Sequence, residues 1–90
     1  MYLATVIGTV VSTSKDERLV GFKLLLTQQL NPDGTPAEEP VKISVDTVGA
    51  GVGEQVIVAG GSSARAAAGY PDAPIDSAVV GIVDTVEVEV

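Results

Sequence analysis

Val41-Lys42-Ile43-Ser44-Val45-Asp46, then Thr47-Val48-Gly49-Ala50-Gly51-Val52-Gly53-Glu54, then Gln55-Val56-Ile57-Val58-Ala59: the fold turns on this stretch. Val41, Ile43 and Val45 alternate with Lys42, Ser44 and Asp46. That two-residue period predicts a strand at 41–46, with the three apolar side chains on one face. Gln55–Ala59 reads as the next strand. The residues between them are a glycine-rich loop, and no helix begins there. Two strands around a loop point to an all-β chain rather than to βαβ units.

Outward from this stretch, the β-branched character persists. Residues 2–12 read as a strand, with Gly8 as a bulge or sharp bend. A polar turn at 12–18 leads to a strand at about 19–28, carrying Leu19, Val20, Phe22, Leu24, Leu25 and Leu26. Asn31-Pro32-Asp33-Gly34-Thr35-Pro36 is a tight-turn sequence. Glu38, Glu39 and Pro40 extend it into a mobile loop. Beyond Gly60-Gly61, Ser62 or Ser63 is a candidate hydroxyl N-cap for a short alanine-rich helix that Gly69 ends. A last strand is expected at about 78–84. In the tail, Val86, Val88 and Val90 alternate with Glu87 and Glu89. The tail is expected either to extend that strand or to form an edge strand with an acidic face. Five strands and one short helix predict a small OB-like β-barrel, with residues 1–90 as a single domain.

Composition narrows the function. A 90-residue domain buries only about 60% of the surface that its unfolded chain exposes. Yet the chain is 46% hydrophobic, with a mean hydropathy of +0.38. So much apolar surface in so small a domain means either burial between subunits or an unusually apolar surface. Cysteine and histidine are both absent, which removes disulfides, thiolate metal sites and the commonest general base. The net charge of −7 repels phosphate backbones, and aromatic residues make up only 3%. An OB-type oligonucleotide-binding role is therefore disfavoured. No apolar run reaches the roughly 18 residues of a membrane span, and the N-terminus lacks a basic leader region. A cytoplasmic location is expected.

Each motif that could carry chemistry has a plainer reading. Gly49-Ala50-Gly51-Val52-Gly53 superficially resembles a phosphate loop, but Glu54 and a strand follow where Lys-Ser/Thr and a helix are required. A tight turn or a close subunit approach fits better. Asp46 and Glu54 flank the loop as a possible carboxylate pair, although few residues are available to line a cleft. Asp46 is expected to accept backbone N–H bonds from the loop, and Glu54 to pair across an interface. Ser62 and Ser63 have no histidine to activate them as nucleophiles. Arg65 is expected to pair with a carboxylate, within the chain or across a subunit boundary. Lys23, in an apolar strand, faces solvent or a partner. No catalytic, cofactor or metal site is expected, and a small ligand-binding barrel is the main alternative.

The blocks Gly8-Thr9-Val10-Val11-Ser12-Thr13, Gly21-Phe22-Lys23-Leu24-Leu25 and Val45–Val56 fall in a distinctive order and spacing. Gly61-Ser62-Ser63-Ala64-Arg65, Asp72-Ala73 and Val80-Gly81-Ile82-Val83-Asp84 complete it. Together they resemble the EutN/CcmL vertex proteins of bacterial microcompartments, over Met1 to about Asp84. Asp46-Thr47-Val48-Gly49-Ala50-Gly51, with Gly53-Glu54 after it, is the most telling block. The resemblance implies an OB-like barrel that assembles as a homopentamer. It implies a non-catalytic shell protein that caps the vertices of an icosahedral compartment, carboxysome-like or catabolic. Its implied partners are copies of itself and hexameric or pseudohexameric shell proteins, with no nucleic acid or membrane. A ring of five is heterologous, so two different faces of each subunit must meet. Gly49, Ala50, Gly51, Gly53 and Glu54 are the candidates for shell contact or for the fivefold opening. Gly61, Ser62, Ser63, Ala64 and Arg65 are the candidates for the subunit interface or that opening.

Overall fold

The computed structural model describes residues 1–13 and 15–89. Its strands are β1 (Tyr2–Val10), β2 (Leu24–Gln29), β3 (Lys42–Asp46), β4 (Gln55–Gly60) and β5 (Ser77–Ile82). One helix, α1 (Gly61–Ala68), lies between β4 and β5. The strands close into a barrel in the order β1-β2-β3-β5-β4. Neighbouring strands are antiparallel except β3 and β5, which run parallel through Val45 with Ala78 and Asp46 with Val79. The expected five-stranded barrel with one short helix is present.

Closing so few strands demands strong local curvature, and two register shifts supply it. In β1, Val6 pairs with Thr27 and Gly8 with Leu26, which leaves Ile7 as the extra residue of the bulge. A Cβ on Gly8 would lie 3.3 Å from Leu26 Cδ1, tighter than an ordinary contact. Between β4 and β5, Ile57 pairs with Gly81 and Val58 with Val79. Here Val80 is the extra residue, and Gly81 lies against Ile57 with the same 3.3 Å clearance.

The barrel is filled by small and branched side chains. Ala4, Val6, Leu25, Val56, Val58 and Val79 are buried together, with Ala50 inserted from the β3–β4 loop. Thr27, Ser44 and Ser77 are buried as well and form a chain of hydroxyls. Thr27 Oγ1 is 2.9 Å from Ser44 Oγ, which is 2.6 Å from Ser77 Oγ. Thr27 also donates to the Lys42 carbonyl, so the chain ends on a backbone acceptor. A buried hydroxyl costs stability only when unpaired, and these are paired. A second cluster lies outside the barrel, where Val45, Ala64, Ala73, Ile75 and Ala78 dock α1 and the following loop.

Several expectations from the sequence need correction. β3 does alternate, but Ser44 is the buried residue and Ile43 is 53% exposed. The narrow lumen takes the serine, while Val45 packs on the outside under α1. The second strand starts at Leu24 rather than at about 19, because Glu17–Leu19 forms a 3₁₀ turn. Asp16 caps this turn by accepting the Arg18 N–H, and Gly21 turns the chain at φ +92°. The first strand stops at Val10 and the last runs over Ser77–Ile82. The residue before α1 is Gly60, and no side chain caps the helix. Its end is as expected: Gly69 sits at φ +79°, and Gly69 and Tyr70 donate to the Ala66 and Arg65 carbonyls. The 31–40 segment is hydrogen-bonded rather than loose. Leu30 bridges Pro36, and Asp33 accepts from both the N–H and the hydroxyl of Thr35. After Val83 donates to the Gln55 carbonyl, residues 84–89 form no strand. Two positions covered by these expectations, Ser14 within the polar turn at 12–18 and Val90 in the tail, lie outside the described residues.

Candidate functional site

The two candidate segments sit at opposite ends of β4. Six residues of strand separate them by on the order of 20 Å, so the fold does not bring them into one site.

The first segment is the β3–β4 loop, and three charged side chains hold its backbone. Asp46 Oδ1 accepts from the Val48 and Gly49 N–H groups, each at 3.1 Å. This is the backbone role expected of Asp46. Glu54 Oε1 accepts from the Gly51 N–H at 2.7 Å, so within the subunit it braces the loop. Lys23 Nζ donates to the Ala50 carbonyl at 2.6 Å. At the far end of the loop, Gly53 N–H donates to the Val6 carbonyl and Val6 N–H to the Glu54 carbonyl. Gly49 and Gly53 take φ of +83° and +92°, a region that side chains other than glycine's rarely enter. A phosphate would need free amides here. Those of Val48, Gly49 and Gly51 already serve carboxylates, so the loop is not an anion cradle.

With its backbone fixed, the loop divides its side chains. Ala50 is buried in the barrel, whereas Val48 and Val52 are 41% and 63% exposed. A rigid loop with apolar tips can meet a partner without first losing conformational freedom.

The second segment is the first turn and a half of α1. Gly61 has φ +58° and donates to the Asp76 carbonyl. Ser62 and Ser63 are exposed and Ala64 is fully buried. Arg65 donates to the Ile75 carbonyl at 3.3 Å, and among the described residues it makes no ion pair. A carboxylate partner within the chain is therefore not found among the described residues.

The sequence reading missed a different ion pair. Arg18 holds Asp16 through two 2.9 Å hydrogen bonds and also reaches the Asp72 carbonyl at 2.6 Å. It thereby ties the 3₁₀ turn to the loop after α1. The Arg18 side chain, then its N–H, lower the Asp16 carboxyl from its ordinary 3.8 to about 2. The Asp-x-Arg spacing was the available signal. Nor did the sequence reveal a surface groove of about 240 Å³, lined chiefly by Val10, Leu19, Leu24, Ile43, Val45 and Ile75. It is smaller than the roughly 300–1,000 Å³ of small-molecule sites, and the barrel axis itself is packed with side chains. Among the described residues, no group of three or more Asp or Glu side chains gathers to hold a metal.

Comparisons with known proteins point one way. The family model described as ethanolamine utilisation protein EutN/carboxysome matches residues 1–84. The bacterial microcompartment shell vertex protein GrpN of Rhodospirillum rubrum (strain F11) is 60% identical, over 97% of both chains. The carboxysome shell vertex protein CcmL of Synechocystis sp. (strain ATCC 27184 / PCC 6803 / Kazusa) is 54% identical, over 98% of this chain and 87% of that relative. Among solved structures, the GrpN pentameric microcompartment shell protein from Rhodospirillum rubrum superposes with a TM-score of 0.89 at 56% identity. That match covers 99% of this chain and 100% of the other.

Proposed function

The chain belongs to the EutN/CcmL family, and from that premise we propose that it is the pentameric vertex subunit of a bacterial microcompartment shell. One observation carries this reading: nearly the whole chain superposes on nearly the whole of a pentameric shell protein at 56% identity. The surface supports it. Ile7, Val41 and Ile43 are large apolar side chains left about half exposed on the outside of the barrel. A lone subunit in water gains nothing from them, whereas a ring buries them. Burying the exposed half of each such side chain contributes roughly half of the 1.5–3 kcal/mol that full burial gives.

In this reading residues 1–90 act as one structural unit without catalysis. Five copies form a heterologous ring in the cytoplasm, and the ring fits among hexameric and pseudohexameric shell proteins. The β3–β4 loop (Gly49, Ala50, Gly51, Gly53, Glu54) meets shell neighbours. The Gly61–Arg65 segment meets the adjacent subunit or lines the fivefold opening. Arg65 has no carboxylate partner among the described residues and suits an acidic group across that boundary. The high negative charge, multiplied by five, is best tolerated at the rim of the ring.

The test is co-expression with a hexameric shell protein, with shells examined by electron microscopy. Closed polyhedra that need this chain support the reading; equally closed shells without it refute it. Gly51→Trp sharpens the loop assignment. Gly51 is not at positive φ, and a Cβ there meets only Glu54 Oε1 at 3.5 Å. The variant is expected to keep its pentameric mass and to leave shells open.

A further inference from the structure

The peptide unit joining Ala50 to Gly51 is held at both ends by opposite charges. Its carbonyl accepts from the Lys23 ammonium at 2.6 Å, and its N–H donates to the Glu54 carboxylate at 2.7 Å. The peptide dipole lies between a cation at its negative end and an anion at its positive end. Hydrogen bonds to charged groups are about twice as strong as neutral ones. Rotating this peptide by half a turn would set its carbonyl against the carboxylate and its N–H against the ammonium. The two side chains together therefore leave one orientation open.

Lys23 lies far from the loop in sequence. Just before β2, its own carbonyl accepts the Asp46 N–H at 3.0 Å, so its backbone braces the start of the loop while its side chain holds the middle. Its side chain takes no part in the core: it is exposed, and Leu24 and Leu25 beside it do the packing. Between the braced points the loop presents Val48 and Val52, and the charges of Asp46, Lys23 and Glu54 are all engaged with backbone groups.

We propose that Lys23 is a positioning residue: with Glu54 it locks the Ala50–Gly51 peptide so that Val48 and Val52 meet an apolar recess on a neighbouring shell subunit. This rests on the assignment of the β3–β4 loop to shell contact. The lock itself does not depend on that assignment, so the two fail separately.

Lys23→Met keeps the aliphatic stem and removes the donor, and Lys23→Arg restores a donor. Native mass, amide hydrogen exchange and co-assembly with a hexameric shell protein of the same compartment are measured for each. Lys23→Met is expected to remain pentameric with unchanged exchange in β1 and β4. Its Gly51 amide is expected to exchange roughly ten- to a hundredfold faster, and co-assembly to fall by a similar factor. Lys23→Arg is expected to recover most of both. Unchanged Gly51 exchange in Lys23→Met overturns the lock. Faster exchange with undiminished co-assembly overturns the docking role and keeps the lock. Val52→Ser supplies a second route, because it leaves the lock intact. It is expected to lose co-assembly at unchanged exchange and mass, and full co-assembly by this variant overturns the apolar contact.

Discussion

Ile43 and Ser44 are adjacent in β3, yet the isoleucine is turned outward and the serine is sealed inside the barrel. The inner face of the strand belongs to a lumen so narrow that alanine, valine, serine and threonine fill most of it. Its hydroxyls can be buried because each bonds to the next. The outer face is half covered by α1 and the loop after it, and half left open at Ile43. The inside is complete within one chain and the outside is not. The subunit is a finished barrel with an unfinished surface, and that surface is where assembly is expected to act.

The largest effect should come from charging the open face. Ile43→Asp is expected to leave the barrel folded, since the site is half exposed. It should weaken every subunit contact by about 1–3 kcal/mol, because the still-exposed half of the isoleucine is no longer buried and a carboxylate must be desolvated in its place. Summed around the ring, this is the largest loss, and it should shift the ring toward monomer at micromolar concentration. Sedimentation of the variant checks this, and an undisturbed ring would remove Ile43 from the interface. Next comes the closed face. Leu25→Ala empties the largest side chain of the lumen and should cost about 2–5 kcal/mol in denaturant unfolding. A loss confined to assembly, with the barrel's own stability intact, would break the contrast between the faces. Smaller still is Ser44→Ala, which interrupts the hydroxyl chain while Thr27 keeps the Lys42 carbonyl. A loss of about 1–2 kcal/mol is expected. A gain in stability would mean that the buried hydroxyls are a burden that the apolar lining could replace.

The smallest effect concerns Asp16, whose carboxyl is lowered by the Arg18 side chain and N–H. A lowered pKa in the folded state means that ionisation favours folding. The contribution is fully present above the ordinary 3.8 and is lost as the pH falls toward about 2. Wild type and Asp16→Asn should therefore differ slightly at neutral pH and converge between pH 4 and 2. The carboxyl is exposed, so salt should shrink the difference. A gap that persists at pH 2 would show that the Asp16→Asn substitution disturbs the turn by other means.

Much of the barrel was legible in the sequence because each strand announces itself locally. Val56, Val58 and their neighbours form a short β-branched run between glycines, and Gly8 marks the bulge because a Cβ there would crowd Leu26 across the pair. The orientation of β3 was not legible. Alternation reports which residues share a face, and hydropathy reports that Ile43 is to be buried. Neither says whether its own core or another copy of the chain does the burying. The second strand was drawn too early for a similar reason. Leu19 and Val20 are apolar enough for a strand, but the Asp16 cap and the left-handed Gly21 bend the chain before Leu24. At the candidate site, the loop and the role of Asp46 could be read from Asp-Thr-Val-Gly-Ala-Gly. Lys23 could not, because its partner carbonyl lies 27 residues away and only the closed barrel brings them together.

The central claim, that the open outer face is completed by other copies of the chain, is tested most directly by the native mass of the purified protein. A particle of five times 9.1 kDa is predicted. A stable monomer or dimer under the same conditions would contradict it.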